Sequence, residues 1–196
     1  MLKASQAVSG EIVLGKLIKT LLRIAIEHAG AERGLLILFE GDEPRIEAEA
    51  TTGRGRVEVT LRQTAVSPAE LPESVLHYVI RTRESVILDD ALAQNPFSAD
   101  EYICQKHARS VLCLPLVKQA KLIGVLYLEN KLASHVFTPA RISVLELLGI
   151  AGGDLAGERP SVQRSRGAGG QDPPSGRLEH HRNHDLGCSR PDHRSQ

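Results

Sequence analysis

The stretch Ser110–Asn130, SVLCLPLVKQAKLIGVLYLEN, constrains the fold more than any other part of the chain. It reads as two apolar strands joined by a short polar turn. In the first, Ser110, Leu112, Leu114 and Leu116 share one face, and Val111, Cys113 and Val117 share the other. In the second, Leu122, Ile123, Val125, Leu126 and Leu128 are apolar on both faces, which places that strand inside a covered sheet. Gly124 interrupts the run at a point where another backbone or a ligand comes close. Pro115 has no N–H to give, so its strand either bulges there or faces no neighbour on that side.

Upstream, Leu14, Leu17, Ile18, Leu21, Leu22, Ala25 and Ile26 recur at spacings of three and four, the mark of an amphipathic helix over Glu11–Ala29. Ser9 is its expected N-cap and Gly30 its stop. Gly34–Glu40 is a short apolar strand, Arg45–Thr51 alternates apolar with charged residues, and Arg56–Arg62 alternates again. Three antiparallel strands in a meander follow from that order. Pro72 opens a second helix whose buried stripe is Val75, Leu76, Val79 and Ile80. Ser85–Leu88 is a strand, Asp89–Ala99 an irregular polar stretch, and Asp100–His107 one or two helical turns. After the hairpin, Thr138 and Pro139 supply an N-cap and a first-turn proline for a helix carrying Ile142, Val144, Leu145, Leu147 and Leu148. The expected architecture is α+β, an antiparallel sheet of five or six strands flanked by helices.

Lys plus Arg and Asp plus Glu both total 24, so the formal net charge is zero and nothing in it favours nucleic acid or an anionic membrane surface. No apolar run approaches the ~18 residues a spanning helix requires, and the amino terminus lacks the apolar core of a secretory signal. Three cysteines without CxxC spacing suit a reducing cytoplasm and no disulfide framework. The expectation is a soluble cytoplasmic protein.

The hairpin segments S-V-L-C-L-P-L and K-L-I-G-V-L-Y-L-E-N resemble the central hairpin of GAF domains. In particular, they are similar to the GAF module of large bacterial signalling proteins that carry a kinase-like ATPase region upstream and a PAS–sensor histidine kinase region downstream. The resemblance extends to Leu2–Ile12, Ser85–Ala91 and Phe137–Leu148, and so covers residues 1–148. It implies a linker or helix start over 1–10, a GAF-like sensory domain over 11–148 and a tail over 149–196. It further implies a non-catalytic module that binds a small molecule of unidentified kind and regulates attached kinase domains. The terminal helices, where Leu14, Leu17, Leu21 and Ile24 approach heptad spacing, would pair two copies in a homodimer.

The resemblance places a ligand among the loop before the hairpin, the neighbouring helices and one sheet face. Asp89, Asp90, Asn95, Phe97, Asp100 and Tyr102 crowd that loop, although Asn and Asp also serve there simply as turn formers. His77 on the second helix, with Ser110 and Cys113 on the first hairpin strand, completes the candidate set; His77 and Tyr78 also suit packing. Neither a catalytic residue nor a metal ligand is expected. Cys104 and Cys113 leave a free methionine sulfoxide reductase as the enzymatic alternative, but a thiol between Leu112 and Leu114 belongs to a core. A purely structural dimerisation module is a third reading. Bilin attachment through a cysteine beside a histidine is poorly matched, because Gln105 and Lys106 separate Cys104 from His107. The N-K…F…D-E signature of cyclic-nucleotide-binding relatives is also poorly matched, since Asn95 precedes Pro96. Gly53-Arg54-Gly55-Arg56 is a turn between strands, without the strand-before, helix-after setting of a phosphate loop.

Beyond Leu148 the pattern breaks. Residues 149–196 hold nine of the chain's 17 glycines, no aromatic residue and no apolar period, so too little surface can be buried to order them. Dropping one base after the Leu148 codon lets the following codons read Ala-Ser-Gln-Ala-Ala-Ile-Ser-Leu-Glu-Asn-Ala, which continues the helix as the relatives' exit helix does. The tail is therefore expected to be disordered and out of frame, its histidines accidental, and the chain a fragment without its output domain.

Overall fold

The computed structural model of the protein describes residues 2–53 and 55–145, with side chains from Val13 onward. Residues 149–196, Leu148 and Arg54, with what was expected of them, lie outside the described residues.

One six-stranded sheet organises the fold. Its elements are α1 (Leu2–Ala29), β1 (Arg33–Glu40), β2 (Glu43–Gly53), β3 (Arg56–Ala65), α2 (Glu73–Thr82), β4 (Val86–Leu88), α3 (Glu101–Lys106), β5 (Ser110–Lys118) and β6 (Lys121–Asn130). A helix α4 follows over 139–145, as far as it is described. The strand order is β3-β2-β1-β6-β5-β4 and every neighbouring pair is antiparallel. The expected meander is β1–β3. The chain then crosses through α2 to the far edge and returns by the hairpin β5–β6, which closes against β1.

Strand alternation divides the interior in two. One face carries Ala48, Ala50, Leu112, Leu114, Leu116, Leu126 and Leu128, covered by Ile18, Leu22, Ala25 and Ile26 of α1 and by Ile142 and Leu145 of α4. The other carries Leu35, Ile37, Ile46, Val111, Cys113, Val125 and Tyr127, covered by Val75, Leu76 and Val79 of α2, Ile103 of α3 and Ala91 of the intervening loop. The two faces of the first hairpin strand fall as its alternation requires. The exception is Val117, which a register shift after Leu116 leaves exposed.

Pro115 and Gly124 each resolve to one of their two expectations. Residues 86–88 of β4 pair only with 111–113, so Pro115 lies beyond that edge strand and faces no neighbour on that side. At Gly124 it is a backbone that approaches: a Cβ there would collide with the Ile37 carbonyl oxygen across the β1–β6 pair.

The start of α1 corrects the sequence expectation. The helix runs from Leu2, straight through Ser9 and Gly10, so it begins ahead of the expected Glu11 and Ser9 is no cap. Leu2, Lys3, Ala4, Gln6 and Ala7 favour helix strongly enough to carry one glycine, which costs about 1 kcal/mol in a helix interior. Gly30 ends it at φ +70, as expected.

Candidate functional site

The sheet face beneath α2, α3 and the 89–100 loop carries a charged cluster from four strands, α3 and the connection before α2. Arg33 sits two residues before Leu35 and therefore faces the same side; Glu129 stands directly opposite it across the β1–β6 pair, two residues beyond Tyr127. Glu49 lies opposite Leu35 on β2. Arg62 on β3, Glu70 on the β3–α2 connection and Tyr102 on α3 reach the same place.

Arg33 donates from Nε to Glu49 Oε1 at 2.6 Å, from Nη2 to Glu70 Oε2 at 2.8 Å, and from Nη1 to the Glu70 carbonyl at 2.6 Å and the Tyr102 hydroxyl at 3.0 Å. Arg62 donates to Glu49 Oε2 at 2.7 Å and grips Glu70 with both terminal nitrogens, at 2.7 and 3.1 Å. Glu129 has no exposed side-chain surface. Its Oε2 accepts from Tyr127 at 2.8 Å, and the Tyr102 hydroxyl lies 2.9–3.0 Å from both its oxygens. A buried carboxylate is tolerated only with such partners. Among the described residues every buried side-chain nitrogen and oxygen has a hydrogen-bond partner.

These contacts set the titrations. Burial alone would lower the Arg33 pKa, but the Glu49 hydrogen bond and the nearby Tyr102, Glu129 and Glu49 raise it overall. The Arg62 hydrogen bond holds Glu70 below the usual carboxylate value. Burial, then the Glu129 charge, pushes the hydroxyls of Tyr102 and Tyr127 up, so both stay protonated donors.

Of the nine residues expected to line a site, Tyr102 alone belongs to this cluster. Asp100 caps two helices at once: Oδ1 accepts from Tyr102 N at 3.0 Å, and Oδ2 from Ser74 N and Oγ at 3.1 and 2.5 Å. Asn95 folds the loop, donating to Ala91 and Ala93 carbonyls and accepting from Phe97 N. Phe97 meets Tyr78 edge to face, ring centroids 5.6 Å apart. Asp90 accepts from Leu92 N at 3.2 Å and lies 3.6 Å from Arg109. Asp89 is exposed, its carbonyl receiving Ser110 Oγ at 3.1 Å and His135 N at 2.8 Å. Ser110 thereby ties the loop to the hairpin. His77 points to solvent on α2, so it takes no part in packing, whereas Tyr78 packs against the second core. Cys113 is fully buried and free, and burial pushes its thiol far up, which disfavours the thiolate. Cys104 lies on α3 with its sulfur 3.4 Å from the Ser98 carbonyl oxygen.

Sequence reasoning missed Arg33, Glu49, Arg62, Glu70, Tyr127 and Glu129. Only Glu129 carries a signal: an acid within a strand apolar on both faces must have buried partners.

Among the described residues no group of three or more His, Cys, Asp or Glu side chains could hold a metal ion, and no helix is long and apolar enough to cross a membrane. Residues 14–151 match the GAF domain family, and the chain belongs to it. It is 35% identical over 75 residues to hybrid signal transduction histidine kinase G of Dictyostelium discoideum, covering 38% of this chain and 2% of that protein. It is 21% identical over 150 residues to the peroxide stress-activated histidine kinase mak3 of Schizosaccharomyces pombe, covering 76% of this chain and 6% of that protein. The chain thus spans only a small part of these relatives. Its fold matches the GAF domain region of a Geobacter sulfurreducens protein with a TM-score of 0.58 at 14% identity, over 78% of this chain and 96% of the other.

Proposed function

We propose that the chain is a small-molecule-sensing module of a cytoplasmic signal-transduction protein, regulating an attached histidine kinase. The ligand sits between the sheet face under α2 and α3 and the 89–102 segment, and it shifts the balance between two arrangements of that segment and the terminal helices. The observation that carries this is the division of labour between the two faces. One is roofed by short helices and an irregular loop over a charged cluster; the other is packed by the helices through which the chain enters and leaves. On α1, Val13 is 62% and Leu17 38% exposed, leaving an apolar strip beside the buried one for a second copy.

Native mass spectrometry of the purified chain checks this. The expected outcome is a dimer carrying a bound small molecule whose removal raises amide hydrogen exchange over 89–102. A dimer with no ligand and unchanged exchange across small-molecule fractions would instead mark a purely structural dimerisation unit.

A further inference from the structure

We propose that Arg33 and Arg62 form a binding site for a carboxylate-bearing small molecule, and that Glu70 occupies it from within when that molecule is absent. This rests on the sensory reading above and names the chemistry of its ligand. The Glu70 carboxylate is held as a bound ligand would be. Oε2 accepts from Arg33 Nη2 at 2.8 Å and Arg62 Nη1 at 3.1 Å, while Oε1 accepts from Arg62 Nη2 at 2.7 Å. A bidentate guanidinium fork from Arg62, joined by one further bond from Arg33, is the standard means of recognising that group.

Glu70 is also the member built to leave. Arg33, Glu49, Arg62, Tyr127 and Glu129 are fixed in strands and Tyr102 in a helix, whereas Glu70 lies on the irregular connection between β3 and α2. The cluster is wet at that end, with Glu70 and Arg62 about a quarter exposed, and dry at Glu129. Charge points the same way. Arg33, Arg62 and Lys131 balance Glu49, Glu70 and Glu129. Swinging Glu70 out leaves one positive charge uncompensated beneath the roof of α2 and α3, and an incoming carboxylate restores the balance. The exchange has a mechanical outcome as well. Leu71 and Pro72 follow Glu70 directly and lead into α2, so releasing the carboxylate loosens the entry to that helix.

A tethered carboxylate competes with an effective concentration in about the millimolar range, so the site answers only to a ligand that outbids it. Calorimetric titration of the full chain with succinate at constant ionic strength tests the proposal. Glu70→Gln, which removes the internal competitor's charge, is expected to bind succinate at least about tenfold more tightly than the unmodified chain. Adding Arg62→Gln should abolish the gain. Equal succinate binding by Glu70→Gln and the unmodified chain, or binding that survives Arg62→Gln, would overturn the proposal. If Glu70→Gln does not fold, Glu70→Asp, too short to span both guanidiniums, takes its place with the same two outcomes. A co-purified molecule that binds Arg62→Gln as tightly as the unmodified chain would leave the sensory function standing and remove this site alone.

Discussion

Glu129 shows how much one side chain can depend on others. It is buried without exposed surface, and two tyrosine hydroxyls and Arg33 share the work of satisfying its oxygens. Tyr102→Phe removes one of those hydroxyls without changing shape. It should therefore destabilise the domain by about 1–3 kcal/mol, the cost of leaving a buried polar group short of a partner. Urea unfolding followed by circular dichroism measures this; a change within error would mean that Tyr127 and Arg33 suffice. The same residues mark the limit of the sequence reading. Asp100 and Asn95 were legible as polar residues of a loop, because turn chemistry is local. Arg33, Glu49, Arg62 and Glu70 come from four elements separated by up to 37 positions, and only the register of β1, β2 and β3 brings them together.

At the level of elements the sequence was far more informative. The hairpin β5–β6, the meander and the buried stripe of α2 each follow from a period of two or of 3.6 that local contacts can enforce. The miss at the start of α1 is equally physical: Ser9 has the chemistry of a cap, but the residues before it prefer helix, and propensity summed over a turn and a half outweighs one side chain. Gly124 is where an element depends on an absence. Gly124→Ala would drive a methyl group into the Ile37 carbonyl and, at 2.7 Å, the Leu38 side chain, forcing apart the two central strands. A loss of about 1–3 kcal/mol or more is expected from such overpacking, read as a lower urea midpoint with an unchanged slope. Wild-type stability in this variant would mean that β1 and β6 slide without cost.

For the whole molecule, the cluster defines a pH window. The folded-state pKa of Glu70 lies below its ordinary 4.5, so its contribution is complete above that pH and is lost as pH falls further. Tyr102 and Tyr127 are raised above the ordinary 10.0, so the folded state keeps protons that the unfolded chain releases, and their contribution is lost as pH climbs past 10.0. Stability should accordingly form a plateau with an acid and an alkaline limb. Glu70→Gln should flatten the first, and Tyr102→Phe should flatten part of the second. Thermal melts across pH would show both, and limbs unaltered in either variant would assign the titration to other groups.

The Arg141 guanidinium at the head of α4 donates to the carbonyl of Ala29, the last residue of α1, at 3.1 Å and to that of Val136 at 2.9 Å, while Asn130 reaches the Gly30 carbonyl at 3.0 Å. The incoming and outgoing rods are thus riveted at a single corner. A twist applied to one is handed to the other within a few ångströms, without having to cross the sheet.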